Sequence, residues 1–269
     1  MKIGKQADPN SAISASNAGT IVIRGLDLCK ELIGRFSFTD HFFLLLTGRL
    51  PTEAQRRVLD ATLVAIAEHG LVPSVQASRM TFAAAPEAMQ GAVAAGILGS
   101  GSVILGSSEA AGRLLAQIVS EASGEAARMG EVARAVVDRH RREGRPVPGY
   151  GHPLHKRRDP RVERLLEVAR EARLSAEHVA AAREVERILP EVLGKPLVMN
   201  VSSAIPAVLL DAGFPLEAMK GVPILARTAA LIAHLVEEQI RPIGFVLSEH
   251  GEKAIGYDGP RPPGFVPGT

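Results

Sequence analysis

The chain predicts a nearly all-α-helical protein, on three observations. No stretch sustains the two-residue apolar alternation of a half-buried strand. Apolar side chains recur instead at helical spacing, as in Ala111, Leu114, Leu115, Ile118, Val119 and Ala122, which share one stripe. Helix start and stop signals punctuate the rest. Thr52 with Gln55 forms a capping box, Asp159-Pro160 has the form of an N-cap followed by a first-turn proline, and Gly48 suits a left-handed C-cap.

With 269 residues, 46% of them hydrophobic, the chain has ample material for one large core with room for a small appendage. Lys and Arg number 31 against 29 Asp and Glu, a near balance that argues against nucleic acid or a membrane surface as a bulk partner. The single cysteine, Cys29, excludes an internal disulfide and a cysteine-based metal cluster, and it fits a cytoplasmic location. The opening Met-Lys-Ile-Gly-Lys-Gln lacks the apolar core of a signal peptide. Ala88 to Ser108 carries no charge, but its interrupting glycines and serines read as a buried helix and a tight loop rather than a membrane span.

In chain order, residues 1–20 are polar and read as an extended arm packed on the body or on a neighbouring subunit. A helix ends at Gly48, and Leu50-Pro51-Thr52 opens another reaching about Glu68. His69-Gly70 closes it, where a histidine meets the negative end of the helix dipole. Helices come next over 86–99 and 108–123, the second capped by Ser108 and ended by Gly124. A charged helix over 125–145 finishes in Arg139, His140, Arg141, Arg142 and Arg145, either a solvated face or a rim for phosphates. Beyond it lie helices over 160–173 and 175–193, then 197–213 with Pro206 inside it, then 222–241. On that last helix the Arg227 guanidinium, set among apolar neighbours, needs an anionic partner, whereas Arg241 at its end serves equally well as a solvated cation. From Gly256 the chain is Gly/Pro-rich and reads as an extended or disordered tail.

The stretch Pro148-Gly-Tyr-Gly-His152-Pro-Leu-His-Lys156-Arg157-Arg158-Asp-Pro-Arg161 is where chemistry gathers. Gly149 and Gly151 let backbone approach a ligand, His152 can carry a proton near neutral pH, and the basic side chains precede the positive end of a helix. This stretch resembles the Pro-Gly-Tyr-Gly-His loop and Asp-Pro-Arg of the citrate synthase family, whose members make or break a carbon–carbon bond between a coenzyme A thioester and a 2-oxo acid. Further segments resemble the family in order: the Arg24-Gly25 turn, Leu-Leu-Thr-Gly48, Leu-Pro-Thr52, Gly101 to Ala111, Met199-Asn200-Val201, Ala226-Arg227 to His234, and Arg241-Pro242. The resemblance implies a citrate-synthase-like all-α fold with a large helical domain (1–147 and 197–269), a reduced small lid domain (148–196), and a homodimer. It further implies that Pro148, Gly149, Tyr150, Gly151, Lys156, Arg157 and Arg158 bind coenzyme A, that His152 is catalytic, and that His69, Arg161, Arg227 and Arg241 bind substrate carboxylates, Arg241 across a dimer interface.

Two positions depart from the family. Ile104 stands where its first catalytic histidine would be, and Ser202 where its aspartate moves the proton on the acetyl carbon. The apolar residue at 104 is shared with the citryl-CoA-cleaving module of ATP-citrate lyase, which favours a citryl-CoA-lyase-like enzyme. Such an enzyme would split citryl-CoA or a related 3-hydroxyacyl-CoA into acetyl-CoA and a 2-oxo acid such as oxaloacetate, with the thioester as substrate or product and no tightly bound cofactor. Glu109 and Glu237 are candidates, by position alone, to protonate the enolate. A citrate or 2-methylcitrate synthase, and a non-catalytic binder of acyl-CoA or carboxylates, are the other readings. A metal enzyme using His152 and His155 is disfavoured, since no acidic or cysteine ligand completes the set nearby.

Overall fold

The computed structural model describes residues 9–101, 106–123, 125–151 and 159–265. Helices dominate them, as expected, with a small sheet added. Three short antiparallel strands, β1 (Ser14–Ser16), β2 (Ile21–Ile23) and β3 (Leu26–Asp27), occupy and extend the segment read as an arm. Strands of two or three residues are too short to show a period, which is why the sequence pattern misses them. Arg24 and Gly25, joining β2 to β3, both have positive φ, as a two-residue hairpin loop demands. Among the residues singled out from sequence, Ile104, Gly124, His152, His155, Lys156, Arg157 and Arg158 lie outside the described residues, as do residues 1–8 of the arm and 266–269 of the tail.

The chain divides into two compact units, residues 1–62 with 107–219 and residues 63–106 with 220–269. The first holds the sheet, α1 (Phe38–Thr47), most of α2 (Glu53–Ala67), α5 (Gly106–Ala122), α6 (Ala126–Arg142), α7 (Pro160–Glu171), α8 (Glu177–Leu193) and α9 (Val201–Asp211). The expected lid, 148–196, falls within it.

The local signals hold for α1 and α2. Gly48 has φ 76°, and Thr52 and Gln55 exchange their capping-box bonds at 2.9 and 3.2 Å. Ser108 is not a cap: α5 starts two residues earlier, leaving Ser108 buried in its first turn. Within α5, Ala111, Leu114, Leu115, Ile118 and Ala122 are buried as the stripe requires.

Helix α9 is the centre of this unit. Ser203 to Leu209 are all buried, Pro206 included, and the helix packs against α7 and α8. A helix apolar on every side belongs in the interior. Its last residue, Asp211, accepts the His178 and Val179 N–H groups at 2.9 and 3.1 Å and so caps α8 from outside. These contacts fix where α9 begins, and that beginning carries the site.

The second unit holds α3 (Pro73–Ala84), α4 (Met89–Leu98), α10 (Gly221–Ile240) and α11 (Gly244–Ala254). Neither α3 nor α11 is announced by the sequence pattern. Phe82 of α3, Ala92 of α4 and Leu235 of α10 form a shared core, with Met89 and Val93 packed on it. Leu216–Ile240 is long and apolar enough to cross a membrane by length and composition; here α10 lays a buried face on α3 and α4. Gly96 lets α4 approach closely, because a Cβ there would sit 2.8 Å from Leu231 and 2.9 Å from the Ser74 carbonyl.

Candidate active site

The loop after α6 and the start of α9 are tied into one piece of backbone. Gly151 N–H donates to the Val198 carbonyl at 2.7 Å and Asn200 N–H to the Gly149 carbonyl at 3.0 Å, with Tyr150 and Met199 paired as an antiparallel bridge between them. Asn200 closes the arrangement with its side chain. Its Nδ2 donates to the Gly151 carbonyl at 2.6 Å, and its Oδ1 accepts the Ser202 N–H at 2.9 Å as the N-cap of α9. Met199 N–H is held by Glu186 Oε1 at 2.7 Å.

Both loop glycines are required by geometry. Gly149 has φ 87°, and a Cβ there would lie 2.5 Å from the Ser203 Cβ; Gly151 has φ 82°. Tyr150 between them points inward. Its hydroxyl donates to the Ala182 carbonyl at 2.8 Å and accepts from Ser203 Oγ at 3.3 Å. Burial pushes the phenol well above its usual range, against the opposing pull of the Ser203 bond. The buried ring therefore anchors the loop from below. Ser203 belongs to that anchor, while Ser202, half-buried, turns the other way and accepts a hydrogen bond from Ser107 Oγ at 3.0 Å.

Downstream, Asp159 caps α7 as expected, accepting the Arg161 N–H at 3.0 Å. The same carboxylate, only 1% exposed, also takes Nε and Nη2 of Arg161 at 3.0 and 2.8 Å. Arg161 is thus fixed in direction before any ligand arrives. Of the basic run at the end of α6, His140 and Arg145 join Arg113, Gln117, Pro146 and Pro148 around a recess of about 350 Å³ beside the loop. Arg113 pairs with Glu109 at 2.8 Å and Arg145 with Glu143. A larger cavity, about 610 Å³, opens between α7 and the start of α8 and shares no lining residue with the loop. Among the described residues no group of three His, Cys, Asp or Glu side chains could hold a metal ion.

The second unit carries the other expected carboxylate binders. His69 is exposed two residues beyond the end of α2, just before Gly70, which has a φ of 69°. Arg227 is buried on α10, and Arg241 is its exposed C-cap. The centre of this unit is one that sequence reasoning missed: Arg79, 2% exposed, reaches Glu238 at 2.6 Å and Glu237 at 2.7 Å. It also donates to the Arg241 carbonyl at 3.0 Å. Burial alone would lower the Arg79 pKa, but its two carboxylate partners more than offset this and raise it. Arg79 in turn draws the Glu237 pKa below the ordinary carboxylate value, which makes Glu237 a poor proton donor. Glu238 spends its second oxygen on the Ile243 and Gly244 N–H groups at 2.9 and 2.7 Å, starting α11.

Pro148, Gly149, Tyr150, Gly151 and Ser202 are thus brought together, with Arg161 in the same unit, and His69, Arg227 and Arg241 belong to the other. The roles of Asn200 and Ser107 were missed by sequence reasoning. Only the capping preference of Asn, placed ahead of an apolar run, hinted at the first.

Residues 53–243 match the family described as Citrate synthase, C-terminal domain. Among solved structures, citryl-CoA lyase from Hydrogenobacter thermophilus superposes with a TM-score of 0.84 at 33% identity, covering 97% of this chain and 98% of that one. ATP citrate lyase from Methanothrix soehngenii, in complex with citrate and coenzyme A, gives 0.77 at 22% identity, covering 96% of this chain and 43% of that one, and so bears on the fold alone. The citrate/2-methylcitrate synthase of Bacillus subtilis (strain 168) is 25% identical over 234 residues, 84% of this chain, which spans only 57% of that protein's length. With the matched region covering most of the sequence in family order, the chain belongs to the citrate synthase family.

Proposed function

We propose that the chain is a coenzyme A-thioester carbon–carbon lyase of the citryl-CoA lyase type. The observation that carries this reading is the Gly149–Gly151 backbone locked against the start of α9, to which His152 is the next residue in the chain. In this reading His152 takes the proton of the substrate's tertiary hydroxyl. The bond to the thioester methylene then breaks, giving acetyl-CoA and a 2-oxo acid. Pro148, Gly149 and Gly151 offer backbone to coenzyme A over the Tyr150 anchor, and Lys156, Arg157 and Arg158 meet its phosphates. Arg161, Arg227, Arg241 and His69 hold carboxylates, and residues 148–196 act as a short lid. The similarity to the Hydrogenobacter lyase over nearly the full length of both chains supports cleavage over condensation. A homodimer is part of the reading, supported by the uncharged α4, which leaves Gly91, Ala94 and Leu98 exposed. So is a cytoplasmic setting.

The second reading, a binder without turnover, draws on Ser202 standing where a carboxylate would move a proton. Turnover of citryl-CoA, measured as acetyl-CoA release, separates the two. Cleavage by the wild type and its loss by at least about 100-fold in His152→Ala, with acetyl-CoA still bound in calorimetric titration, is the expected result. Binding of acetyl-CoA without cleavage of any hydroxyacyl thioester would establish the binder instead.

A further inference from the structure

Two consecutive serines open α9 and do different work. Ser203 is fully buried and tied to the Tyr150 hydroxyl, whereas Ser202 is half-buried and faces the first turn of α5. There the Ser107 hydroxyl donates to Ser202 Oγ at 3.0 Å, which leaves the Ser202 proton free to be given elsewhere. The contact joins the first turns of two long helices, so negative charge appearing on Ser202 oxygen would lie near two positive helix ends. Asn200 fixes the Ser202 backbone and the Gly151 carbonyl together, so the hydroxyl is held at a set place relative to the loop.

We infer that Ser202 is the group that protonates the departing carbon, and that Ser107 is a positioning residue that recharges it. This rests on the lyase reading. As His152 removes the hydroxyl proton, the electron pair of the breaking carbon–carbon bond passes to the carbon beside the thioester, and the hydroxyl carbon becomes the ketone of the 2-oxo acid. The enolate carbon takes the Ser202 proton, forming C–H as O–H breaks. The Ser107 proton moves to Ser202 oxygen. Ser107 is then reprotonated from solvent, to which the imidazolium releases the proton it gained, so one proton leaves oxygen, one arrives at carbon, and nothing else is consumed.

The pair has a direction built in. An alcohol is far more acidic than a thioester methyl group, so giving a proton to the enolate is downhill, while a neutral serine is too weak a base to take one back. A carboxylate at this position can run either way. A serine commits the site to cleavage.

The test uses the full chain and citryl-CoA. Ser202→Ala should lower kcat by about 100-fold or more with KM little changed, and Ser107→Ala by about 10-fold, with Ser107→Thr restoring most of the loss. Wild type in deuterium oxide should leave the methyl protons of added acetyl-CoA unexchanged, whereas Ser202→Asp should exchange them. Unchanged thermal unfolding and acetyl-CoA affinity show that the variants are intact. A Ser202→Ala rate within about twofold of wild type, or ready methyl exchange by the wild type, overturns the inference while leaving the lyase reading in place. A wild type that cleaves no hydroxyacyl thioester overturns both.

Discussion

A methyl group at residue 149 would meet Ser203 at Cβ, Cα and N within 2.5, 2.9 and 3.0 Å, on backbone that only glycine adopts without strain. Gly149→Ala should therefore destabilise by roughly 2–6 kcal/mol, strain and overpacking together. At Gly151 the nearest obstacle, Leu197 Cδ2, lies 3.3 Å away at the end of a flexible side chain. Gly151→Ala should accordingly cost only about 1–3 kcal/mol of backbone strain. Urea denaturation of the two variants checks the order. Both glycines and the tyrosine were legible as a motif, but the inward turn of Tyr150 was not: its partners, Ala182 and Ser203, lie more than thirty residues away in sequence and become neighbours only through packing.

Among the helices, α10 and α3 are joined by a charge pair that neither exposes, Arg79 with Glu238. Arg79→Met should cost about 3–5 kcal/mol, because Glu238 would be left buried with its charge uncompensated. Glu238→Gln, which keeps an acceptor oxygen for Ile243 and Gly244, should cost less. Chemical denaturation of both variants measures the difference, and equal losses would mean that Arg79 left without Glu238 costs as much as Glu238 left without Arg79. The helices with strong local signals, α1, α2, α5 and α7, were readable from caps and stripes, whereas α10 was read from its resemblance to the family segment and has no side-chain cap. By contrast α3 has only its first-turn Pro73 as a start signal, with no side-chain cap bond, and carries its buried arginine inward, so it escaped the sequence pattern. Ser108 misled for a related reason: it looks like a cap, yet α5 begins at Gly106 and Ser108 is buried.

For the molecule as a whole, the order of family segments made the fold readable, while the strands escaped for want of length and the division into two units left no mark in composition. Leu98, 84% exposed at the end of uncharged α4, is the side chain on which the proposed dimer can be tested. Leu98→Glu should convert the particle from dimer to monomer in light scattering without lowering its helical content, because the carboxylate would be desolvated only in the pair. A wild type that is already monomeric removes the dimer from the functional reading. Gly151 and Val198 are joined by a single 2.7 Å hydrogen bond, so the chain that departs at the former comes home at the latter. Everything between is a closed lap whose two gateposts stand side by side. Its length can change over evolutionary time, as long as α8 still offers Ala182 and Glu186, without pulling the threshold apart.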